Sequence, residues 1–97
     1  MEPLNLKNGE VFVEVYSDEL SITTVNGWSV PIDYDVAITY ADNYVQNDNS
    51  LTLTTSGFYD ANDSVVLVHK RARISFSRVE AIALCNFIQA AKNEIWL

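Results

Sequence analysis

Apolar and polar residues alternate one by one through most of the first three quarters of the chain. In the segment 10–16 every second residue is a valine, with charged or aromatic residues between. Because successive side chains of a strand point to opposite faces of a sheet, this period of two predicts a β-strand. The same pattern predicts strands at 19–25 and 28–32, and the Asn26-Gly27 pair between them predicts a tight type I′ hairpin turn.

Further strands and loops are predicted up to residue 76. Apolar residues alternate over 34–40, which predicts a strand, and the Asn- and Asp-rich segment 41–50 predicts a loop. A short strand is predicted at 51–55. The last strand is predicted to be long, 65–76, with a bend or bulge at 69–70, where one of its two faces changes from apolar to cationic.

A helical pattern begins at Ser77. The four residues from Ser77 to Glu80 have the form of a capping box, in which the serine oxygen accepts from the amide of Glu80 and the glutamate accepts from the amide of Ser77. A helix is therefore predicted over 78–94. Its expected apolar face comprises Val79, Ala83, Leu84, Phe87, Ile88, Ala90, Ala91 and Ile95.

These elements predict an α+β fold. We expect a mostly antiparallel sheet of about five strands, built from hairpins and covered on one face by a single C-terminal helix. The 97 residues are expected to form a single domain, residues 1–97, with strands within about 10–76 and the helix at about 78–94.

The cysteine content and the apolar runs indicate a cellular compartment. A single cysteine, Cys85, allows no internal disulfide, which is the normal state in a reducing cytosol. The N-terminal segment has no signal-peptide pattern, and no apolar run approaches the ~20 residues that span a bilayer. We therefore expect a cytoplasmic protein with no membrane partner.

Charge is distributed unevenly along the chain. Residues 1–65 hold eleven acidic side chains against one base, Lys7, for a net charge of −10, whereas residues 66–97 have a net charge of +3. This asymmetry indicates recognition of a charged partner. The overall net charge of −7 makes direct binding to a nucleic-acid backbone the weaker expectation.

The side chains that most enzymes and metal sites need are scarce. His69 is the only histidine and Cys85 the only cysteine, too few ligands for a zinc site. Cys85 falls within the predicted helix and is expected to be a buried thiol. The three glycines are too far apart to form a phosphate-binding loop. We therefore expect a protein that is not an enzyme and that has no catalytic residue, cofactor or metal.

The acidic residues form the first candidate surface. On a rigid sheet such charges attract a basic groove of another protein, and neighbouring aromatic residues supply anchor contacts. Alternatively, the acidic residues only keep the protein soluble and the aromatic residues fill its core. The protein-binding candidates are Asp33, Asp35, Asp42, Asp48, Asp60, Asp63, Tyr44 and Tyr59, and the acidic surface extends to Glu10, Glu14, Asp18 and Glu19.

A basic segment forms the second candidate surface. Arg71 and Arg73 are expected on the same face of the last strand, as a two-pronged clamp for a phosphate or a carboxylate. Alternatively, the bases neutralise carboxylates on neighbouring strands. The anion- or nucleic-acid-binding candidates are Lys70, Arg71, Arg73 and Arg78.

The apolar C-terminus, Ile95, Trp96 and Leu97, forms the third candidate surface. Chain ends are usually polar and frayed, so three apolar residues there indicate that the end is held in place. It either docks on the domain's own sheet or forms the interface of a homodimer, with Trp96 as anchor.

The leading functional hypothesis is a small acidic, non-enzymatic inhibitor. It would bind a partner protein and mask that partner's basic surface, for example a nucleic-acid-binding one, as phage anti-defence proteins do. The first alternative is a single-stranded nucleic-acid-binding domain that uses the basic segment 69–78. The second is a structural or assembly subunit that oligomerises through strand edges and the apolar C-terminus.

Overall fold

The structure, a computed structural model, describes residues 1–52 and 57–96. Within these residues the fold is α+β, with two antiparallel sheets and two α-helices. The first sheet has the strand order β1-β2-β3-β4 and the second has the order β5-β6-β7. The elements are β1 (Leu4–Leu6), a 3₁₀ turn (Lys7–Gly9), β2 (Val11–Val15), β3 (Glu19–Thr24), β4 (Ser29–Asp33), α1 (Tyr34–Gln46), β5 (Phe58–Ala61), β6 (Ser64–His69), β7 (Ala72–Ser77) and α2 (Arg78–Glu94).

The hairpin predicted around Asn26-Gly27 is present. β3 and β4 pair antiparallel, with Ile22 opposite Val30 on the buried face. The loop between them takes up residues 25–28, and in it only Gly27 has a positive φ, 89°. The turn is therefore longer than the two-residue type I′ turn expected from the sequence, which needs positive φ at both central positions.

The helix α1 replaces the strand predicted at 34–40 and most of the loop predicted at 41–50. Its buried residues Ala37, Tyr40, Ala41 and Tyr44 are spaced by three and four positions, which is the period of a helix face. The apolar residues that alternate over 34–40 thus belong to one face of a helix and do not indicate a strand. The Asn and Asp residues first break the helix after Gln46, where Asp48 and Asn49 have positive φ.

The long strand predicted at 65–76 is two strands. β6 and β7 form a hairpin in which His69 pairs with Ala72, so Lys70 and Arg71 make the turn. Lys70 adopts a φ of 54°, and the chain reverses completely at the position where the sequence indicated a bend. Of the strand predicted at 51–55, Leu51 and Thr52 are not in a strand, and 53–55 lie outside the described residues.

The capping box and the helix α2 are confirmed. The Ser77 hydroxyl accepts from the amide of Glu80 at 3.2 Å, and the amide of Ser77 donates to Glu80 Oε1 at 2.8 Å. The buried face of α2 comprises Ala81, Leu84, Cys85, Ile88 and Ala91. It is rotated from the expected face, because Val79 in the first turn is 77% exposed.

Both helices cover the inner faces of the sheets. α1 packs on β3 and β4, α2 packs on β1, β6 and β7, and the helices pack on each other. Between them the rings of Tyr40 and Phe58 stack with centroids 4.2 Å apart, and the Tyr40 hydroxyl donates to the carbonyl of Ala81 at 3.2 Å. The predicted single sheet of about five strands under one helix is thus only roughly matched by the structure, because a second helix, α1, provides part of the core.

Strand alternation leaves the outer faces of both sheets open to solvent. Phe12, Pro31 and Asp33 are exposed on the first sheet, and Tyr59 and Arg73 are exposed on the second. In the described part of the chain, no helix has both the length and the apolar character needed to cross a membrane.

Candidate functional site

Three carboxylates share the outer face of the four-stranded sheet. Glu19 on β3 is the register partner of Asp33 on β4, and Glu14 on β2 is the partner of Ser21 in the next row. Residues two apart on a strand and residues paired across strands point to the same side, so all three side chains project from one face. We call this set, Glu14, Glu19 and Asp33, the acidic sheet face.

Among the described residues, no cation forms an ion pair with the acidic sheet face. Within residues 1–52 and 57–96 the structure contains a single ion pair, between Lys7 Nζ and Glu80 Oε1 at 3.0 Å, on another part of the molecule. Two neutral polar side chains lie on the same face, since the Ser21 hydroxyl lies 3.1 Å from that of Ser29. Like charges held opposite each other on a sheet repel, so this face has a negative potential that the fold does not neutralise.

The other predicted acidic residues are dispersed over several elements. Asp35 lies in the first turn of α1 and accepts from the amide of Val36 at 2.8 Å. Asp60 accepts from the amide of Leu51 at 3.2 Å, so it holds the segment after α1 on β5. Asp42 lies within α1, Asp48 follows that helix, and Asp63 lies in the β5–β6 turn. Of the six predicted aspartates, only Asp33 belongs to the acidic sheet face.

The two tyrosines of the predicted acidic surface lie in different environments. Tyr44 is only 2% exposed and stacks on Tyr40, so it is a core residue and not a surface anchor. Burial raises its pKa above the ordinary tyrosine value. The reason for this correction is the helix α1, which turns Tyr44 inward where a loop was expected. Tyr59 is 46% exposed on the outer face of β5.

The basic residues do not form the predicted clamp. Arg71 lies in the β6–β7 turn and Arg73 on the outer face of β7, so the two do not project from one continuous strand. Arg78 is the first residue of α2. None of these three, nor Lys70, has a carboxylate within 4.0 Å in the described residues, so the internal neutralisation considered as an alternative is not seen there.

A groove between the two sheets brings three of these cations close to an exposed tryptophan. The β3–β4 loop forms one wall and the β6–β7 turn the other, around a volume of about 620 Å³. Trp28 is 45% exposed, and its carbonyl accepts from the amide of Thr24 at 2.9 Å, which fixes its backbone. A second depression beyond Trp28 is lined by Arg73. We call the set Trp28, His69, Lys70, Arg71 and Arg73 the basic groove.

The sequence named the cations of the basic groove but not Trp28 as their partner. Trp28 is far from Lys70 along the chain, and only the packing of one sheet beside the other joins them. The sequence signal that was present is the hairpin loop itself, since binding residues occur disproportionately on loops held by a rigid scaffold.

Trp96, near the C-terminus, docks on its own chain. Trp96 is 8% exposed, its indole Nε1 donates to the carbonyl of Tyr16 at 2.8 Å, and its ring centroid lies 6.1 Å from that of Tyr34. Ile95 is partly exposed, and Leu97 lies outside the described residues. Of the two alternatives for the apolar end, the structure shows the intramolecular one for Trp96.

The two residues with nucleophilic or ligating chemistry lie in separate places. Cys85 is buried within α2, and burial raises its pKa to about 11, with a hydrogen bond to Tyr40 acting in the opposite direction. Such a thiol is a poor nucleophile at neutral pH. His69 lines the basic groove instead. No group of three or more histidine, cysteine, aspartate or glutamate residues suited to a metal occurs in the part of the chain described above.

No protein-family model, curated protein or solved structure matches this chain.

Proposed function

We propose that the chain is a small non-enzymatic binding protein whose acidic sheet face docks on a basic surface of a partner protein and masks it. The observation that supports this is the set Glu14, Glu19 and Asp33, which shares the outer face of the four-stranded sheet, with Asp33 exposed and the two glutamates half-buried. No cation of the described residues lies within 4.0 Å of these carboxylates. A cationic partner relieves the repulsion between these charges when it binds. The relief of this electrostatic repulsion therefore adds to the free energy of binding.

The geometry of the acidic sheet face suits a protein surface. Neighbouring strands are about 4.8 Å apart, so the sheet holds the backbone of the three acidic residues in fixed positions and little backbone order is lost on binding. Tyr16 and Tyr34 are both exposed at the end of the sheet that carries Glu19 and Asp33, and the amide of Tyr16 donates to the carbonyl of Glu19 at 2.8 Å. Exposed tyrosines beside charges supply apolar contact area and hydrogen bonds in protein interfaces.

The partner class follows from the charge. A surface rich in Arg and Lys is the electrostatic footprint of a nucleic-acid-binding protein. A protein that covers such a surface competes with the nucleic acid, which makes it an inhibitor. The phage anti-defence role suggested by the sequence is one biological setting for such an inhibitor.

Affinity capture tests the proposal. The tagged chain is incubated with a lysate of its native host, and the basic nucleic-acid-binding proteins that it retains are quantified by mass spectrometry. Each captured protein is then tested for release of a labelled oligonucleotide when the chain is added. Capture should weaken strongly between about 0.1 and 1 M salt, where the Debye length falls from about 10 to about 3 Å.

A charge-matched pair of variants tests the site. The triple variant Glu14→Gln, Glu19→Gln, Asp33→Asn removes three charges from the acidic sheet face, and Asp42→Asn, Asp48→Asn, Asp63→Asn removes three charges elsewhere. At about 1 kcal/mol for each contact, the first variant should bind roughly 100-fold more weakly. The second should bind like the wild type. Equal weakening by both variants, or retention of the partner at high salt, would contradict docking through this face.

A further inference from the structure

The basic groove is a second charged site with the opposite sign. Lys70, Arg71 and Arg73 lie around Trp28, and no carboxylate of the described residues pairs with them. Cations that a fold holds together without a counter-charge favour an anion between them. An anion bound at the β6–β7 turn would have two donors available, the ammonium of Lys70 and the guanidinium of Arg71. A guanidinium binds phosphate with two parallel hydrogen bonds.

The exposed ring of Trp28 favours a ligand that contains a planar group. Trp28 lines both the large depression and the one beyond it, and its side chain is 45% exposed. An exposed indole offers a flat apolar surface on which a planar group can stack. Pro31 and Val30 continue the apolar wall. The groove therefore combines an aromatic platform with a cationic end, and a nucleotide has the matching pair of a flat base and a phosphate.

The size and the borders of the groove limit the ligand. A volume of about 620 Å³ lies within the range of about 300–1,000 Å³ that small-molecule sites occupy. Asp33 borders the adjoining depression along β4, whereas Glu10 lines the depression beyond Trp28 together with Lys7 and Arg73. A long polyanion leaving the groove along β4 would meet a carboxylate, and the chain as a whole has a net charge of −7.

We propose that the basic groove binds a free nucleoside phosphate, with the base stacked on Trp28 and the phosphate held by Lys70 and Arg71. This site uses residues other than those of the acidic sheet face, and it does not depend on the protein partner proposed above.

Titration with adenosine monophosphate tests the proposal. Binding is followed by intrinsic fluorescence and by calorimetry, because Trp28 is exposed and the other tryptophan, Trp96, is buried. The nucleotide should quench the emission of Trp28 and give a saturable heat. Adenosine and inorganic phosphate, which each supply half of the ligand, should both bind at least about tenfold more weakly. An equal response to phosphate alone would overturn the stacking, and no response to the nucleotide would overturn the site.

Charge-matched variants locate the site. Lys70→Gln with Arg71→Gln removes two positive charges from the groove, and Arg78→Gln with Lys92→Gln removes two from α2, whose residues do not line the groove. The first pair should raise the Kd by about tenfold or more, whereas the second should leave it close to the wild-type value. Equal effects of the two pairs would show a general field effect and would contradict a specific groove.

The aromatic platform has its own control. Trp28→Ala should abolish the fluorescence change and weaken binding in calorimetry, whereas Trp28→Phe should retain part of the affinity because a ring remains. Tyr59→Ala removes an equally exposed aromatic residue from the outer face of β5 and should have no effect. Circular dichroism of each variant shows whether it is folded, and Trp28→Phe keeps the test valid if the alanine variant unfolds. A Trp28→Ala variant that is folded and binds normally would overturn the proposal.

Two further ligands test whether the groove prefers a free nucleotide to other anionic ligands. A single-stranded oligonucleotide should bind no more tightly per nucleotide than the monophosphate, because Asp33 and the net charge of −7 repel the rest of the strand. Much tighter binding of the oligonucleotide would favour a nucleic-acid strand over the free nucleotide and would overturn the proposal as stated. An aspartate-rich peptide that competes as well as the nucleotide would overturn it as well.

Discussion

A buried hydroxyl without a partner offers a sharp test of the packing between β3 and the groove. Thr24 lies at the end of β3 on its buried face, opposite Val11, and its Oγ1 atom is enclosed with no hydrogen-bond partner among the described residues. Its neighbour Thr23 faces the opposite side, where its hydroxyl lies 3.5 Å from that of Ser21. We expect Thr24→Val to stabilise the protein, because valine replaces the unpaired hydroxyl by a methyl group of similar shape.

The magnitude follows from two terms of the same sign. An enclosed hydroxyl without a hydrogen bond costs about 1–3 kcal/mol in proteins, and a newly buried methyl adds up to about 0.8 kcal/mol. Thr24 as a whole is only partly buried, so the low end applies, and the free energy of unfolding should rise by about 1–2 kcal/mol. In a domain of 97 residues, each kcal/mol raises Tm by about 4–8 °C.

Thermal and urea unfolding, followed by circular dichroism, measure this effect. Thr23→Val is the matched control, since it makes the same chemical change one residue away on the same strand. It should give no stabilisation, because it removes a bonded hydroxyl from a partly exposed site. An unchanged or lowered Tm for Thr24→Val would refute the reasoning. An equal rise in both variants would show that strand propensity, and not the unpaired hydroxyl, is responsible.

Three further predictions concern the framework of the fold. Gly57→Ala should destabilise the protein by at least about 2 kcal/mol, because φ is 108° and an added Cβ would lie 2.6 Å from a backbone oxygen of β6. Gly27→Ala should cost about 1 kcal/mol, because φ is 89° there but the space is open. Urea unfolding measures both changes. Trp96→Phe should lower stability by about 1–2 kcal/mol in the same assay, because it removes the indole donor at 2.8 Å and part of the ring. Burial alone would raise the pKa of Glu80, but hydrogen bonds from the Ser77 amide and from Lys7 lower it overall. Glu80→Gln should therefore be less stable than the wild type at neutral pH, by about 0.5–1 kcal/mol. The difference should begin to shrink below the ordinary glutamate pKa of about 4.3 and vanish once the carboxylate is protonated in the folded protein too.

Each of these predictions has a contradicting outcome. Equal losses for the two glycine variants would show that the backbone oxygen of β6 moves away without cost. A Trp96→Phe protein as stable as the wild type would mean that the indole bond contributes nothing in solution. A Glu80→Gln difference that grows on acidification would reverse the sign of the linkage, since a group with a lowered pKa stabilises only while it is ionised.

Local signals account for the parts of the fold that could be predicted. The Asn26-Gly27 hairpin and the capping box at Ser77 each depend on residues within a few positions of one another. The helix α1 could not be found in this way, because Val36 and Ile38 fit a period of two as well as a helical stripe does. Only the burial of Tyr40 and Tyr44 against Phe58 and α2 decides between the two periods. Tertiary packing here outweighs a local pattern.

The hairpin at Lys70 shows a second limit. Reversal of the chain there needs a positive φ, which glycine or asparagine usually supplies, and Lys70 gives no such signal. The candidate sites have a similar origin. The acidic residues were visible in the sequence, but the register that pairs Glu19 with Asp33 decides which of them act together. The groove that Trp28 and the Lys70 turn line together depends on the packing of two sheets, which no local pattern encodes.

The inaccessible thiol of Cys85 gives the protein a convenient chemical reporter. Cys85 is the single cysteine, and its side chain is buried on the inner face of α2. A thiol reagent can therefore modify it only when the core opens. The rate of modification under native conditions therefore measures the free energy of that opening directly. A cysteine introduced at Ser75, exposed on the outer face of β7, would by contrast react at once and alone, so a single dye could be placed next to Arg73 without removing the native thiol.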